Sequence, residues 1–335
     1  MINLNVSRTF FNSWNALAEY LLCKNTVQFQ KGLSLSDFLK NYGTEEQCFD
    51  ALFKLRWPGD FECDRCGCKD YCRLKRSKLF QCNRCRSHIS ITSRTIFHST
   101  KLPLSKWFLA TYLMTQGKNG ISQLELSRQI GVSINTAAML YHKLAQTMLE
   151  RDASKPLSGN IEIDDAYWGG RKKGKRGRGS SNKTPFVAAI EKTKDGKPNR
   201  IKLQVVSGFR KVELEMWARS HLTGEASVLS DGLACFTGIK NAGYGHSSIV
   251  VGNSKNAKKT VAFKWVNIIL GNLKTALVGT FHKLSNKHLP RHLATFQYRF
   301  NRRYRLKDMI PRLAYMAVRT PPMPARLLKI AENHW

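Results

Sequence analysis

Apolar and polar positions along the chain change period several times, and each change marks an element. Helical spacing, three to four residues per apolar repeat, runs through 34–42 (SLSDFLKNY) and 45–54 (EEQCFDALFK). The Pro-Gly break in RWPGD ends it. Between 61 and 98 short alternating runs such as KLFQCNRC and HISITSRT replace it, as expected of small β-hairpins. Helical spacing returns at 105–116. A second helix is expected from Ser122, where Ser122 and Glu125 have the spacing of a capping box, and it stops at Gly131. Ser133 opens a third helix reaching about residue 151. A polar linker (152–160) follows. Beyond it, strand patterns at 161–168, 186–192 and 201–207 precede a helix at 211–222. Strands at 226–230 and 246–251 and helices at 262–278 and 286–304 close the pattern.

The connection lengths predict how these elements combine. The first three strands of the second half are joined by short loops and suit antiparallel pairing, whereas the later ones, separated by helical stretches, suit parallel crossovers. A mixed sheet flanked by helices is the order of a ribonuclease-H-like domain. The fold expected is a multidomain α+β chain. It has a helical lead-in (1–55), a cysteine-bearing ribbon (56–100), a helix-turn-helix region (101–152), an α/β domain with a mixed sheet (158–306) and a basic tail (307–335).

Charge changes the picture from fold to partner. Lys and Arg number 55 against 23 Asp and Glu, a net charge of +32 in 335 residues. Such an excess opposes compaction unless a polyanion offsets it, and nucleic acid is the expected one. A basic protein of the membrane surface is the rival. Against it, no run of 18 apolar residues occurs, and MINLNVSRTFFNSWNALAEYLLCK lacks the layout of a signal peptide, so a soluble, cytoplasmic protein is expected. In that setting the helix, Gly turn and helix over 122–150 read as helix-turn-helix rather than a plain antiparallel pair. Lys75, Arg76, Lys78, Arg84, Arg86 and Arg94 are candidate phosphate contacts on the ribbon. Arg171, Lys172, Lys173, Lys175, Arg176 and Arg178 form a second basic group with interleaved glycine, expected to order on DNA.

Six of nine cysteines fall between 63 and 85. Cys63-x2-Cys66 and, fifteen residues on, Cys82-x2-Cys85 have the spacing of a four-thiolate zinc site. Four thiolates leave no open position, so the zinc is structural. Cys68, Cys72 and His88 are alternative ligands or bystanders, and the two complete pairs favour bystanders.

Two carboxylates carry the candidate chemistry. Asp164 ends the first strand of the second half, and strand alternation puts it on one face with Glu162 and opposite Ile161 and Ile163. Asp231 follows the strand VLS and precedes Gly232, a placement also used by ordinary turns. Together they suggest a two-ion magnesium or manganese site acting on a phosphodiester. After Asp231 only Asp308 and Glu332 remain as acids, and neither lies on the next long helix. That helix offers Asn267 and Lys274, seven apart and on one face. Asn267 is a neutral oxygen ligand or a surface residue, and Lys274 a phosphate contact.

These features together resemble the DDE insertion-sequence transposases with an N-terminal zinc ribbon, the ISXO-like group. The motifs are the paired CxxC ribbon, TAAMLYHKL, IEIDDAYWGG, VLSDG and, most specific, LKTALVGTFHKLSNKHLPRHLATFQYRFNRR, over roughly 45–305. The resemblance implies a metal site of Asp164, Asp231 and the residue seven before the helix lysine. That residue is Asn267 here, where Glu is usual, and the family looks to include a branch with this Asn and Lys. It also implies cleavage at the element's ends and strand transfer, terminal inverted repeats and target DNA as partners, and a dimer or larger assembly. The rivals are a non-catalytic or decayed zinc-ribbon regulator and a plain magnesium-dependent nuclease.

Overall fold

Capping chemistry sets most of the N-terminal boundaries. The computed structural model describes residues 32–74, 78–169, 183–249, 262–281 and 284–330. Helix α1 (Leu35–Tyr42) starts where Ser34 Oγ accepts the Asp37 N–H, and α2 (Glu45–Arg56) where Thr44 and Gln47 form a reciprocal capping box. The ribbon follows as β1 (Tyr71–Leu74), β2 (Leu79–Cys82) and β3 (His88–Ser90), an antiparallel sheet in that order. Helix α3 (Leu104–Gln116) begins at Pro103, which offers no side-chain cap. The Glu45 carboxylate supplies one from α2, accepting the N–H groups of Leu104 (3.1 Å) and Ser105 (3.0 Å).

Helices α4 (Gln123–Ile130) and α5 (Ile134–Ala153) meet at Gly131, whose φ of 62° ends α4 in the left-handed region. Ser122 caps α4 through the Glu125 N–H, but the Glu125 side chain turns away and accepts from Gln129 Nε2, so the capping box is half of the one expected. Ser133 caps α5.

The lead-in, the ribbon and the three helices are not separate bodies. One apolar core runs from Phe38 and Leu52 through Phe80 and Ile96 to Leu126 and Met148. Phe53, Trp57, Phe61, Tyr71 and Phe80 stack across the seam between α2 and the ribbon, with ring centroids 4.7–6.1 Å apart. The expected basic tail also joins this core: Met309, Ile310 and Leu313 of α9 (Met309–Ala317; α7 and α8 are given below) are fully buried in it, and Leu328 of α10 (Ala325–Ile330) lies there too. The net charge of that stretch concealed an amphipathic helix, because its basic residues occupy the outer face.

The second half is a five-stranded sheet of β4 (Asn160–Trp168), β5 (Thr184–Lys192), β6 (Pro198–Val205), β7 (Ser227–Asp231) and β8 (Gly245–Ile249) in the order β6-β5-β4-β7-β8. Pairs β4–β5 and β5–β6 are antiparallel, and β4–β7 and β7–β8 parallel. That is the ribonuclease-H-like arrangement expected from the connections. Helix α6 (Lys211–His221) covers one face, over Ile161, Ile163, Val187 and Ala189. Helices α7 (Lys264–Thr280) and α8 (Leu289–Asn301) cover the other, over Phe186, Ala188, Ile190 and Leu203.

Helix α8 also packs on α5 and so ties the halves together. Asp152, at the end of α5, is buried and pairs with Arg302 at 2.6 Å, while Gln297 Nε2 donates to its other oxygen at 3.2 Å. Arg291 Nε donates to Gln146 at 3.0 Å, and the Tyr141 hydroxyl meets His292 Nδ1 at 3.1 Å. A buried ion costs several kcal/mol unless its partners are in place, so these groups fix α8 in one register. Among the described residues, no helix is long and apolar enough to cross a membrane.

Candidate metal centres

The two CxxC pairs fold as matching knuckles. In the first, the Gly67 N–H returns to the Cys63 carbonyl (2.9 Å) and the Cys63 N–H to the Cys68 carbonyl (3.0 Å). In the second, the Arg86 N–H returns to Cys82 and the Cys82 N–H to Ser87, both at 3.0 Å. Gly67 and Arg86 hold equivalent left-handed positions, at φ 69° and 57°. Glycine takes that conformation freely, while arginine pays about 1 kcal/mol for it.

The knuckles bring the sulfurs of Cys63, Cys66, Cys82 and Cys85 within 4.8 Å of one another. The Cys63–Cys85 and Cys66–Cys82 separations are 3.6 Å. Sulfurs at tetrahedral corners about 2.3 Å from zinc stand about 3.8 Å apart, so the donor set fits the ion. The Ser87 hydroxyl, 3.3 Å from Cys63 Sγ and 3.0 Å from Cys85 Sγ, holds the Cys63 thiol down to about 6 and lowers that of Cys85. Cys68, Cys72 and His88 lie outside the group, the first with its thiol toward the Asp70 carbonyl. Of the basic residues on the ribbon, Lys78, Arg84, Arg86 and Arg94 are exposed; Lys75 and Arg76 lie outside the described residues.

The second centre forms where the pairing of two parallel strands stops. Pairing between β4 and β7 stops at Ile163–Ser230. Just past that pair, Asp164 and Asp165 of β4, still paired to β5, meet Asp231, the last residue of β7, with one oxygen of each within 4.8 Å of the others. Crevices where the sheet changes direction are the usual ligand sites of open α/β sheets. Local bonds orient two of the acids: Asp164 Oδ1 accepts the Asp165 N–H at 2.9 Å, and Asp231 Oδ1 accepts the Leu233 N–H at 3.1 Å. Asp231 therefore does both things its sequence context offered, closing a turn and facing the other acids. Beside it, Ser230 Oγ bridges to His246 Nε2 on β8 at 2.8 Å. Three clustered carboxylates suit a hard divalent cation.

Asp165 is the member that alternation missed. It follows Asp164 inside the β4–β5 ladder, opposite Val187, and still brings an oxygen within 4.8 Å of oxygens of Asp164 and Asp231. The signal available was the acidic pair itself. Glu162, expected on the face of Asp164, is there but fully buried, with Oε1 ion-paired to Lys192 Nζ at 3.0 Å. Asn267 and Lys274 are both exposed on α7, whose buried side packs on β4 and β5. The segment from Arg171 to Arg178, with Lys172, Lys173, Lys175 and Arg176, lies outside the described residues.

The α4–α5 pair presents one end to solvent. Ile134 and Met139 near the start of α5 are 45% and 40% exposed, whereas Leu140 to Met148 is almost wholly buried apart from His142.

Residues 156–301 match the ISXO2-like transposase domain, and residues 43–88 match the transposase zinc-ribbon domain. The second match includes α2, in keeping with the aromatic seam that joins α2 to the ribbon. An uncharacterized protein in transposable element ISH50 of Halobacterium salinarum is 29% identical over 133 residues, 38% of this chain and 44% of that relative; the chain thus spans less than half of the relative's length. Two solved structures overlap weakly. A pre-cleavage Mos1 transpososome has 9% identity and a TM-score of 0.25, covering 60% of this chain and 74% of that one. The Mos1 strand transfer complex has 9% identity and a TM-score of 0.20, covering 56% and 73%. The resemblance read from the sequence, to insertion-sequence transposases with a zinc ribbon, holds.

Proposed function

We propose that this chain, which carries a transposase zinc ribbon ahead of an ISXO2-like transposase domain, is an insertion-sequence transposase that cuts DNA at the element's ends and joins them to target DNA. The observation that carries the chemistry is the grouping of Asp164, Asp165 and Asp231 just past the paired stretch of β4 and β7 in a chain of net charge +32.

Asp164 and Asp231 would hold divalent metal, magnesium or manganese, with Asp165 adding a third carboxylate. Bound there, two such ions would activate an attacking oxygen and stabilise the leaving oxygen of a phosphodiester. Asn267 is proposed to complete the site with a neutral oxygen, and Lys274 to hold a phosphate of the scissile strand. Arg171, Lys172, Lys173, Lys175, Arg176 and Arg178 are proposed to bind the backbone. The ribbon, held by zinc on Cys63, Cys66, Cys82 and Cys85, and the exposed start of α5 would read the terminal inverted repeats, since the first turn of a recognition helix is the part that meets base edges. Joining two ends calls for a dimer or larger assembly.

The test is cleavage and joining of duplexes bearing the element's ends, with and without magnesium. Nicked product without joined product would leave a nuclease. Equal behaviour of wild type, Asp164→Ala and Asp231→Ala would leave a DNA-binding regulator.

A further inference from the structure

A second charged feature lies along the β6 edge of the sheet. Where the edge strand β6 meets the end of α5 and the end of α8, the surface folds into a cavity of about 360 Å³. Six cationic side chains line it, from Lys155, Arg200, Lys202, Arg302, Arg305 and Arg312, against one carboxylate, Asp152. Arg302 pairs with Asp152, Arg200 with Glu191 at 2.7 Å and Arg312 with Asp308 at 3.2 Å. Crediting all three acids still leaves an excess of three positive charges.

The walls are built rather than frayed. Lys202 is 3% exposed, its Nζ fixed by the Asp152 carbonyl at 2.5 Å, and Arg302 is 7% exposed. Burial pushes the Lys202 ammonium down to about 8. Lys155 is lowered as well, first by burial and then by Arg151 and Arg302. An ammonium held among other cations is stabilised by an anion. Among the described residues, the Lys155 and Arg305 side chains make no hydrogen bond to protein, so both are available to one.

The register locates this cavity. Arg200 pairs with Glu191, and Glu191 with Ile161, three residues before Asp164 and two strands across. At about 3.3 Å per residue and about 4.8 Å per strand the separation is roughly 14 Å. At a 3.4 Å rise that is about four base pairs of duplex.

We propose that this cavity is a phosphate-binding pocket that grips the backbone of DNA a few base pairs from the carboxylate cluster, with Lys155 and Arg305 as the contacting donors. The inference rests on the DNA-binding reading above. Its ligand chemistry is a phosphodiester, which DNA supplies in series; a free phosphate is the other source.

The experiment compares full-length wild type with the double variant Lys155→Glu, Arg305→Glu, measuring affinity for a labelled duplex of arbitrary sequence across a salt series. Each lost phosphate contact removes about 0.9 from the slope of log affinity against log salt. The double variant is expected to lose about 2 from the slope and at least about tenfold in affinity, with zinc content and melting temperature unchanged. Lys155→Arg with Arg305→Lys should keep the wild-type slope. Reversing Lys211 and Lys240, exposed elsewhere, should cost clearly less; an equal loss would reduce the pocket to general surface charge and overturn the proposal. A double variant that keeps the wild-type slope also overturns it while leaving DNA binding intact. If calorimetry shows inorganic phosphate binding that the double variant abolishes without changing the DNA slope, the pocket serves a small anion and the backbone assignment is wrong. A wild type with no salt-dependent DNA binding removes both readings together.

Discussion

Asn301, the last residue of α8, closes the open edge of the sheet at Ile201: its Oδ1 accepts the Ile201 N–H at 2.8 Å, and its Nδ2 donates to the Ile201 carbonyl at 3.0 Å. One turn earlier Gln297 Oε1 accepts the Leu203 N–H at 2.7 Å. A helix thus completes a ladder that would otherwise end in unpaired peptide groups. Residues four apart on α8 match residues two apart on β6 because a helical turn of about 5.4 Å and two strand residues of about 6.6 Å are close in length.

Asn301→Ala should therefore destabilise the chain by about 2 kcal/mol, since Ile201 is buried and both its polar groups lose a partner at about 1 kcal/mol each. Denaturant melts measure it. A loss below about 0.5 kcal/mol would mean that water replaces the amide.

Zinc should hold more than the ribbon. Because Phe80 and Trp57 pack in the core shared with α2 and α3, a chelator or Cys82→Ser is expected to lower the melting temperature of the whole N-terminal unit. Elemental analysis should find zinc in wild type and in Cys72→Ser, with the melting temperature of the latter unchanged. Loss of zinc from Cys72→Ser would redraw the ligand set.

Asp164→Asn and Asp231→Asn should each reduce magnesium-dependent DNA cleavage by about 100-fold or more, several kcal/mol of transition-state stabilisation. Without magnesium neither should melt earlier than wild type, because removing one of three adjacent carboxylates relieves repulsion. Asp165→Asn tests the residue that alternation set aside. Full activity there would leave Asn267 as the third ligand to examine, by Asn267→Ala and Asn267→Glu.

Acid should loosen the joint between the halves. Burial, with repulsion from neighbouring histidines and Arg291, pushes His142 and His292 down to about 3, so both are neutral when folded. The unfolded chain takes up these protons near pH 6.5, so it binds more protons than the native state below that pH. Stability is full above about 6.5 and falls as pH drops toward 3, by up to about 1.4 kcal/mol per pH unit per histidine. Melting temperature against pH should show the decline, and His142→Gln with His292→Gln should flatten it. An unchanged profile would mean that these rings ionise freely in the native state.

Much of this was legible because the chemistry is local. Two CxxC pairs make one ion's ligand set wherever they fold, and strand spacing with short or helical connections dictated the mixed sheet. Gly131 and Ser133 marked a turn and a cap through their own conformations and hydrogen bonds. Local pattern reached its limit at Asp165, whose approach to Asp231 depends on where a ladder ends, and at 309–330, where a basic composition hid a buried face.

What the sequence by itself determined was element type, the four cysteines that gather in the ribbon and the acids Asp164 and Asp231 that gather where the β4–β7 pairing stops, all set by residue spacing along the chain. The tertiary structure alone decided three things: that lead-in, ribbon, helix-turn-helix and C-terminal helices share one core, that α8 closes the edge of β6, and that distant cations converge on one cavity. The reason is physical. Capping, alternation and ligand spacing act between near neighbours in the chain, whereas burial and charge add over whatever the folded chain brings together.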